Sequence, residues 1–411
     1  MDPKSTIEKL ADRCVLCGLC LPHCPTYRAS HREAESPRGR ISLILALARG
    51  QLEADATLAL HLNNCLTCRA CEAMCPSEVR YGRLIVAGRA LLREQHRGDE
   101  RSRAMLLGRD NLTGRTLRGA MRAYRASGLK PIANRLLGDS VLGRLNRLVP
   151  DAGMEWPLPE FSPARGTERG RVVLFAGCTG RVLEPGTLGA ALRLLNRAGY
   201  AVHLPKAAMC CGALDLHAGE LAGAEKAMSR SAELLAAYDA DAIIGIASGC
   251  TGVLNELESW LGPEAKPLTG RVHEITAFLA EQDLGELQAT PPEGQIAVHE
   301  PCSQRNVLRG AGCTLRFLER LGIPATPLPG NDQCCGAAGE YMLTHPESAD
   351  ALRQPKVESL QEQGIRYLVS ANIGCALHIA AGAREVDLVA EVLHPVVLAE
   401  RLLAEAEREE A

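Results

Sequence analysis

Short apolar stretches alternate with longer amphipathic ones in the second half of the chain, and the alternation occurs twice. The first round predicts strands at "RVVLFAGC", "AVHLP" and "AIIGIASGC", with helices at "TLGAALRLLNRAG" and 218–238. The second round predicts strands at "QIAVHEPC", "ATPLP" and "RYLVSANIGC", with helices at 304–322 and 346–363. Short strands that alternate with helices are typical of a parallel sheet, so each round predicts one α/β unit.

The first 150 residues have a helical pattern instead. Helices are predicted at "GRISLILALARG" (39–50) and "ADATLALHLNN" (54–64). Residues 101–147 carry ten arginines and one lysine against Asp110 and Asp139, with leucines at helical spacing. This basic segment is either a helical hairpin with a solvated face or a docking surface for an acidic partner or a lipid surface. Prolines 150, 157, 159 and 163 then mark a linker that ends near Gly170.

These patterns predict an α+β multidomain protein. We expect a helical ferredoxin-like domain at 1–97, a basic helical connector with a proline-rich linker at 98–170, and two cysteine-rich α/β repeats at 171–290 and 291–411. The 411 residues are 46% hydrophobic and 23% charged, as in ordinary soluble domains. With 3% aromatic residues and a net charge of −3, nothing favours a nucleic-acid partner.

The chain's beginning, "MDPKSTIEKLADR", has no apolar signal region, and no apolar stretch approaches the length of a membrane span. We therefore expect a cytoplasmic protein, and peripheral contact with the inner face of the cytoplasmic membrane stays open. Seventeen cysteines in such a chain argue for metal binding or catalysis rather than for disulfides.

Two stretches carry four cysteines each at the same spacing, namely "CVLCGLCLPHCP" and "CLTCRACEAMCP". In C-x2-C-x2-C-x3-C-P, three thiolates bind one [4Fe–4S] cluster, and the fourth binds the other cluster of a two-cluster protein. The spacing therefore predicts one cluster on Cys14, Cys17, Cys20 and Cys75, and a second on Cys65, Cys68, Cys71 and Cys24.

Structural zinc is the alternative for these eight cysteines, but three cysteines in a row at two-residue spacing suit zinc poorly. Pro25 and Pro76 are predicted to stop the following turn from continuing as a helix. "SPRGR" at 36–40 adds two arginines near the clusters, either as a solvated helix start or as groups that tune a cluster or dock a partner.

The other nine cysteines also follow a repeat. Setting Cys313 aside, the steps between them are 32, 1 and 39 in the first set and 32, 1 and 40 in the second. The sets are Cys178, Cys210, Cys211 and Cys250, and Cys302, Cys334, Cys335 and Cys375. This duplication predicts four sulfurs per repeat at the carboxyl edge of a parallel sheet, where ligands bind.

The vicinal cysteines need a tight turn, which Gly212 and Gly336 permit. The two sets are predicted to bind a cluster or to act in thiol redox chemistry, while a vicinal disulfide or simple buried thiols is the alternative. Cys313 has no counterpart in the first repeat and is predicted to be a small buried hydrophobe on a helix.

The motifs together resemble the iron–sulfur subunits of glycolate oxidase (glycolate dehydrogenase) over about residues 8 to 395. They are "CVLCGLCLPHCPTY", "SPRGRISLI", "HLNNCLTCRACEAMCPSEVRY", "FAGC", "CCGALD", "ASGC", "HEPC", "CCGAAGEYMLTHP" and "SANIGC". The second half resembles the wider cysteine-rich (CCG) domain family, which is shared with heterodisulfide reductases. In those enzymes a fifth thiolate completes a non-cubane site. Val253 and His378 stand at that position here, and His378 is a candidate fifth ligand.

The resemblance implies an electron-transfer subunit of an oxidoreductase complex, without catalytic residues of its own. A partner flavoprotein carrying FAD would oxidise a 2-hydroxy acid such as glycolate, and this chain would pass the electrons towards a quinone or another acceptor. "GAAGE" at 336–340 lacks the dinucleotide fingerprint, so substrate oxidation is expected on the partner. One or two further clusters in the CCG repeats stay open. The alternatives are a heterodisulfide-reductase-like subunit, or the equivalent subunit of a lactate or glycerol-3-phosphate dehydrogenase.

Overall fold

The computed structural model describes residues 2–95, 119–121, 123–138, 140–150, 158–285 and 287–409. It confirms the predicted order of a helical region followed by two α/β repeats. The predicted domain boundary at 97/98 lies outside the described residues, as do residues 101–118 of the basic segment.

Within residues 2–95, six α-helices and one 3₁₀ turn form the amino-terminal region, and its core contains Ile7, Ile44, Leu47, Leu62 and Leu84, all fully buried. Side chains cap three of the helices, because Asp2, Ser36 and Asp55 accept hydrogen bonds from backbone N–H groups of the first turn. The bounds are Pro3–Ala11, Pro25–Ser30, Glu33–Glu35 (3₁₀), Pro37–Ala48, Ala56–Asn63, Ala70–Ala73 and Tyr81–Gln95.

One prediction in this region is wrong. Pro25 does not stop a helix but occupies its first position, where the missing N–H costs nothing. The proline after Cys24 therefore directs the chain into a new helix immediately behind the last cysteine of the motif. Pro76, by contrast, lies in a turn after the short helix Ala70–Ala73.

The first repeat contains a five-stranded sheet in the order β1-β3-β2-β4-β5. Strands β2 to β5 are parallel, and β1 pairs antiparallel with β3. The strands are β1 (Phe161–Ser162), β2 (Gly170–Phe175), β3 (Tyr200–His203), β4 (Ala242–Gly245) and β5 (Val272–Glu274). The helices are Cys178–Leu183, Pro185–Arg197, Ala213–His217, Leu221–Ala236, Ser248–Leu254, Leu257–Leu261, Pro263–Ala265 (3₁₀), Lys266–Thr269 and Ile275–Glu281.

The second repeat contains four parallel strands in the equivalent order β7-β6-β8-β9. The strands are β6 (Gln295–His299), β7 (Thr326–Pro327), β8 (Ile365–Ser370) and β9 (Glu391–Leu393). The helices are Ser303–Val307 (a π-helical turn), Cys313–Arg320, Tyr341–Thr344, Pro346–Glu362, Ile373–Glu385 and Pro395–Glu409. The predicted helix at 304–322 is therefore two elements, because Arg309 and Gly312 adopt left-handed backbone conformations between them.

Four cysteines were expected at strand ends, and the structure moves them slightly further along the chain. Strands β4 and β8 end at Gly245 and Ser370, so Cys250 and Cys375 lie in the first turn of the following helices. Cys178 begins a helix, and Cys302 immediately precedes the π-helical turn. All four still stand at the carboxyl edge of the two sheets, where the loops converge.

The two repeats pack against each other through equivalent segments. Ser248 Oγ lies 2.7 Å from Ser303 Oγ, and Asn372 Nδ2 donates to both hydroxyls at 3.2 and 3.3 Å. In the reciprocal contact, Leu183 packs against a small apolar cluster formed by Ala247, Ile373 and Leu377. Each repeat thus places the turn after its first cysteine against the helix that carries the last cysteine of the other.

The described part of the connector includes the short helices Lys130–Leu137 and Val141–Arg147, which pack together. The arginines of the second helix point towards the protein, because Arg144 pairs with Asp350 and Arg147 pairs with Glu385. The outward face is apolar, and its six exposed side chains are Leu129, Ile132, Leu136, Val141, Leu142 and Leu145. Among the described residues, no helix is long and apolar enough to cross a membrane.

Arg89 joins the helical region to the first repeat. Its buried guanidinium donates to the carbonyl oxygens of Leu62 and Cys65 on one side, at 2.7 and 2.6 Å, and to that of His217 on the other, at 2.6 Å. Three carbonyl groups are satisfied by this one side chain, and the hydrogen bond to Leu62 among them is buried.

We expect Arg89→Met to lower the free energy of unfolding by about 2–3 kcal/mol, because the buried carbonyl groups lose their donors. Urea unfolding of the purified protein under nitrogen measures the change. Arg80→Met is the matched control: Arg80 is exposed and donates a hydrogen bond to Ser259 Oγ at the surface, so a change within about 0.5 kcal/mol is expected. Equal effects of the two substitutions would contradict this role of Arg89.

Candidate metal centres and thiol sites

The first cysteine motif wraps a small cavity at the surface of the helical region. Its lining includes Cys14, Cys17 and Cys20 together with Cys75 of the second motif. Cys17 is exposed, and Val15, Leu16 and Leu19 beside it are more than half exposed. This cavity is thus lined by cysteines of both motifs, and Cys75 lies beside the first three cysteines, where the spacing predicts it.

A second cavity lies deeper and contains the complementary set. Cys24 of the first motif lines it together with Cys65, Cys68 and Cys71, and Cys71 also borders the first cavity. Burial raises the pKa values of Cys68 and Cys71 well above the ordinary range. These thiols stay protonated on their own, and a bound cationic metal is what favours the thiolate form.

The backbone of both motifs is held in the same unusual conformation. The second residue after the first cysteine has a positive φ in each, 56° at Leu16 and 51° at Thr67, and so does the fourth, 83° at Gly18 and 57° at Arg69. Left-handed backbone at non-glycine residues is strained and is typical of ligand-binding loops. The repeated conformation turns three successive thiols towards one point, so the eight cysteines fit two [4Fe–4S] clusters.

Two arginines of "SPRGR" reach the two cavities separately. Arg38 lines the first cavity and donates to the carbonyl of Leu16 at 3.1 Å. Arg40 lines the second cavity, is fully buried, and pairs with Glu35 at 2.5 Å. The carboxylate of Glu35 also lies 2.6 Å from His61 Nδ1. The geometry favours a role near the clusters over a solvated helix start.

The four cysteines of the first repeat lie in one hydrogen-bonded chain of sulfurs, from Cys178 through Cys210 and Cys211 to Cys250. Hydrogen bonds from Cys178 and Cys211 lower the pKa of Cys210, while hydrogen bonding to Cys210 and burial raise the pKa of Cys178 and of Cys211. Cys210 is therefore the cysteine of this set whose thiolate form its neighbours favour. Gly212, with a φ of 75°, makes the turn, and its N–H donates to Cys210 Sγ at 3.4 Å.

The second repeat reproduces this chain from Cys302 through Cys334 and Cys335 to Cys375. Hydrogen bonding to Cys334, then burial, raises the pKa of Cys302 well above its usual range. Gly336 makes the equivalent turn with a φ of 86°, and an added Cβ there would lie 2.5 Å from the Ala349 carbonyl oxygen. The vicinal pair is thus held by backbone that tolerates no larger residue.

A histidine that the sequence analysis did not single out lies in this second set. His299 places a ring nitrogen within 4.8 Å of the sulfurs of Cys335 and Cys375, and all three side chains are buried. Burial lowers the pKa of His299 well below its usual value, so the imidazole is neutral and able to bind a metal. The available signal was the difference between "HEPC" and "FAGC", which places His299 where the first repeat has Phe175.

The candidate fifth ligand, His378, has another partner in the structure. Its Nε2 lies 3.2 Å from the carbonyl oxygen of Ala349, and burial lowers its pKa to about 4. Cys313 is buried as expected and lies at the start of its helix. Its surroundings are polar, because Gln304 Nε2 donates a hydrogen bond to its sulfur at 3.1 Å.

The second repeat lies directly against the deeper cluster cavity. Cys68 and Cys302 pack on the same small apolar cluster, which also contains Leu66 and Cys334. Asn306 Nδ2 donates to the Cys68 carbonyl oxygen at 2.8 Å. The second set of four sulfurs is thus next to the ligands of the deeper site.

Comparison with known proteins agrees with this arrangement. Residues 10–79 match the 4Fe-4S dicluster domain family, and residues 172–255 and 296–380 each match the cysteine-rich domain family. A dicluster domain with these eight cysteines implies two [4Fe–4S] clusters.

The chain is similar to three curated proteins over most of its length. It is 32% identical to the glycolate oxidase iron-sulfur subunit of Escherichia coli (strain K12), over 92% of this chain and 91% of the relative. It is 30% identical to the probable glycolate oxidase iron-sulfur subunit of Bacillus subtilis (strain 168), over 96% and 93%. A fumarate reductase (CoM/CoB) subunit of Methanothermobacter marburgensis is 26% identical over 89% of this chain and 67% of its own.

The exchange of the fourth ligand predicts how paired substitutions behave. We expect Cys17→Ser/Cys75→Ser to lose about four irons per chain relative to the parent, because both cysteines serve one cluster. Cys17→Ser/Cys24→Ser, which removes the same number of thiols from a single motif, should lose about eight. Iron and acid-labile sulfide of anaerobically purified protein measure both. The opposite pattern would mean that each motif holds its own cluster.

Proposed function

Because this chain belongs to the family of glycolate oxidase iron–sulfur subunits, we propose that it passes electrons from a flavoprotein partner towards a quinone or another acceptor. The observation that carries the proposal is the convergence of eight cysteines from two motifs on two adjacent cavities. [4Fe–4S] clusters bound there would accept electrons one at a time. A flavin that has taken up two electrons from its substrate needs such one-electron acceptors to be reoxidised.

The chain's own residues have distinct tasks in this proposal. Cys14, Cys17, Cys20 and Cys75 would hold the exposed cluster, and Cys65, Cys68, Cys71 and Cys24 the buried one. Arg40 stabilises thiolate ligands in the buried site, since its guanidinium charge lies in a region that excludes water. Tyr81 donates its hydroxyl to Cys65 Sγ at 3.7 Å. Hydrogen bonds and charges of this kind set the reduction potential of such centres.

The exposed position of the first cavity indicates where a partner docks. Val15, Leu16 and Leu19 surround Cys17 and stay in solvent in the isolated chain. A redox partner seated on these side chains would bury them and would approach the cluster without intervening protein. We propose that this loop contacts the flavoprotein. In this proposal the flavoprotein carries the FAD and oxidises the substrate.

A second candidate function is thiol–disulfide reduction. It is favoured by the four convergent sulfurs in each repeat and by the lowered pKa of Cys210, since a thiolate is the attacking species in thiol–disulfide exchange. The fifth cysteine of the heterodisulfide type is replaced by Val253 and His378. This function therefore ranks second. Disulfide reduction by the purified complex with an added chemical electron donor, if it is lost in Cys334→Ala, would favour it.

The principal test uses the complex with its flavoprotein partner, purified without oxygen. We expect added glycolate to bleach the iron–sulfur absorbance and to produce the EPR signal of reduced clusters. In Cys68→Ser, glycolate should still reduce the flavin, but electron delivery to an artificial quinone should fall to background, because the buried site has lost a ligand.

Cys313→Ala is the matched control, since Cys313 is a buried cysteine outside both ligand sets, and its complex should behave as the parent. Lactate and glycerol 3-phosphate are tested in parallel. Reduction by lactate alone would show that the glycolate assignment is wrong, and a flavin that is reduced while the clusters of the parent stay oxidised would contradict the electron-transfer role.

We also propose that the apolar face of the connector, formed by Leu129, Ile132, Leu136, Val141, Leu142 and Leu145, rests on an anionic lipid surface. The arginines of its second helix are engaged with the protein, so the leucines face outward. The basic balance of residues 101–147 suits a negatively charged membrane. A quinone acceptor dissolved in the same membrane would then be within reach.

We expect Leu136→Asp/Leu142→Asp to abolish sedimentation of the protein with vesicles of anionic phospholipid, because two charges would have to enter the interface. Leu60→Asp is the control, since Leu60 is also more than half exposed but lies on the helical region. Unchanged binding of the double variant, or equal loss in the control, would exclude the connector as the lipid contact.

A further inference from the structure

The two cysteine-rich repeats share a sulfur pattern but differ in what surrounds it. The equivalence between them is given by the turn glycines, because an added Cβ at Gly212 would meet the carbonyl oxygen of Ala224 and one at Gly336 that of Ala349. With these two alanines in register, Ser231 of the first repeat corresponds to Lys356 of the second. Counting back from the first cysteine of each set, Phe175 corresponds to His299.

Lys356 brings a buried positive charge to the second set. Its side chain is 2% exposed, and its ammonium group donates to the Gly330 carbonyl oxygen at 2.8 Å. Its charge acts on both Cys375 and His299. In the first repeat, Ser231 instead accepts a hydrogen bond from Cys210 N–H and donates one to the Cys210 carbonyl, at 3.0 and 2.8 Å. The Ser231 hydroxyl therefore stabilises the turn at Cys210 and brings no charge to the sulfurs.

Phe175, which corresponds to His299, gives the first set of sulfurs a different neighbour. A Cβ added at Gly177 would lie 3.5 Å from the ring of Phe175 and 3.7 Å from Cys250 Sγ, so this ring lies beside the first set of sulfurs. A phenyl ring offers no ligand atom, whereas the imidazole at the equivalent place is within reach of two sulfurs.

A buried group of thiolates needs compensation for its negative charge. The second set has Lys356 for this purpose, and His299 brings a ring nitrogen within 4.8 Å of two of its sulfurs. It also lies against Cys68, a proposed ligand of the buried cluster. These three properties together favour a redox metal centre in the second repeat. The serine and the phenyl ring favour a site of free thiols in the first.

We propose that the second repeat alone holds a third iron–sulfur centre, in which His299 joins Cys302, Cys334, Cys335 and Cys375 as a ligand. This inference rests on the proposed function, since it makes the additional centre a neighbour of the electron-transfer path at Cys68. The first repeat, with Cys178, Cys210, Cys211 and Cys250, keeps its cysteines as thiols. The duplicated domain has thus divided into a metal-binding copy and a thiol copy.

The first test counts metal in the full chain, purified without oxygen. We expect about twelve irons and no zinc in the parent, about eight in Cys334→Ser/Cys335→Ser, and about twelve in the matched Cys210→Ser/Cys211→Ser. Far-ultraviolet circular dichroism checks that each variant is folded. Eight irons in the parent, zinc in place of the additional iron, or equal losses in the two double variants would overturn the inference.

The second test identifies the histidine without reference to activity. Protein labelled with ¹⁵N-histidine is reduced, and pulsed EPR should show a ¹⁵N hyperfine coupling that is lost in His299→Phe, the residue of the first repeat. His378→Gln is the control and should retain the coupling. Absence of the coupling in the parent, or its persistence in His299→Phe, would exclude His299 as a ligand even if other variants fail to fold.

These results are separable from the proposed function. A parent complex with eight irons, whose clusters are reduced by glycolate, would keep the electron-transfer role and reject the third centre. A parent with twelve irons whose clusters glycolate does not reduce would do the reverse.

Discussion

The exchange of Cys24 and Cys75 between the two motifs is the constraint on which the helical region depends. Each cavity is lined by cysteines of both motifs, so residues 14–24 and 65–75 lie side by side. The helices between them, Pro37–Ala48 and Ala56–Asn63, close this loop, and Ile44, Leu47 and Leu62 of those helices fill the core behind the cavities. The apolar core and the ligand geometry therefore stabilise each other, and metal binding becomes part of the folding free energy.

The buried side of the helical region is also the side on which the repeats assemble. Arg89 satisfies the Cys65 carbonyl on one side and the His217 carbonyl on the other, and Asn306 binds the Cys68 carbonyl. The backbone of this loop is thus held by Arg89, which is itself bound to the first repeat, and by Asn306 of the second repeat.

Much of the site could be predicted from sequence, because the spacing of the cysteines is itself a local pattern. Thiolate spacing predicts two crossed sets for the eight cysteines, and the structure gathers the eight around two adjacent cavities, both of which Cys71 borders. The duplication likewise predicted two parallel sheets with sulfurs at one edge. Strands β5 and β9 were missed, because three-residue strands are stabilised by their neighbours and carry no periodicity of their own. His299 was missed for a similar reason, since the fold and not the local pattern turns it towards Cys335 and Cys375.

The contact between the repeats, where Ser248, Ser303 and Asn372 meet, joins each repeat to the other through corresponding turns and helices, as in a two-fold symmetric dimer. A single-repeat ancestor using this surface would have formed a homodimer, in which one gene encodes both sites and every substitution appears twice. Fusion of the two copies removes that restriction. Phenylalanine at 175 and histidine at 299 are a divergence that a homodimer of one chain cannot carry, whereas in the fused chain each half can change separately while their contact is preserved.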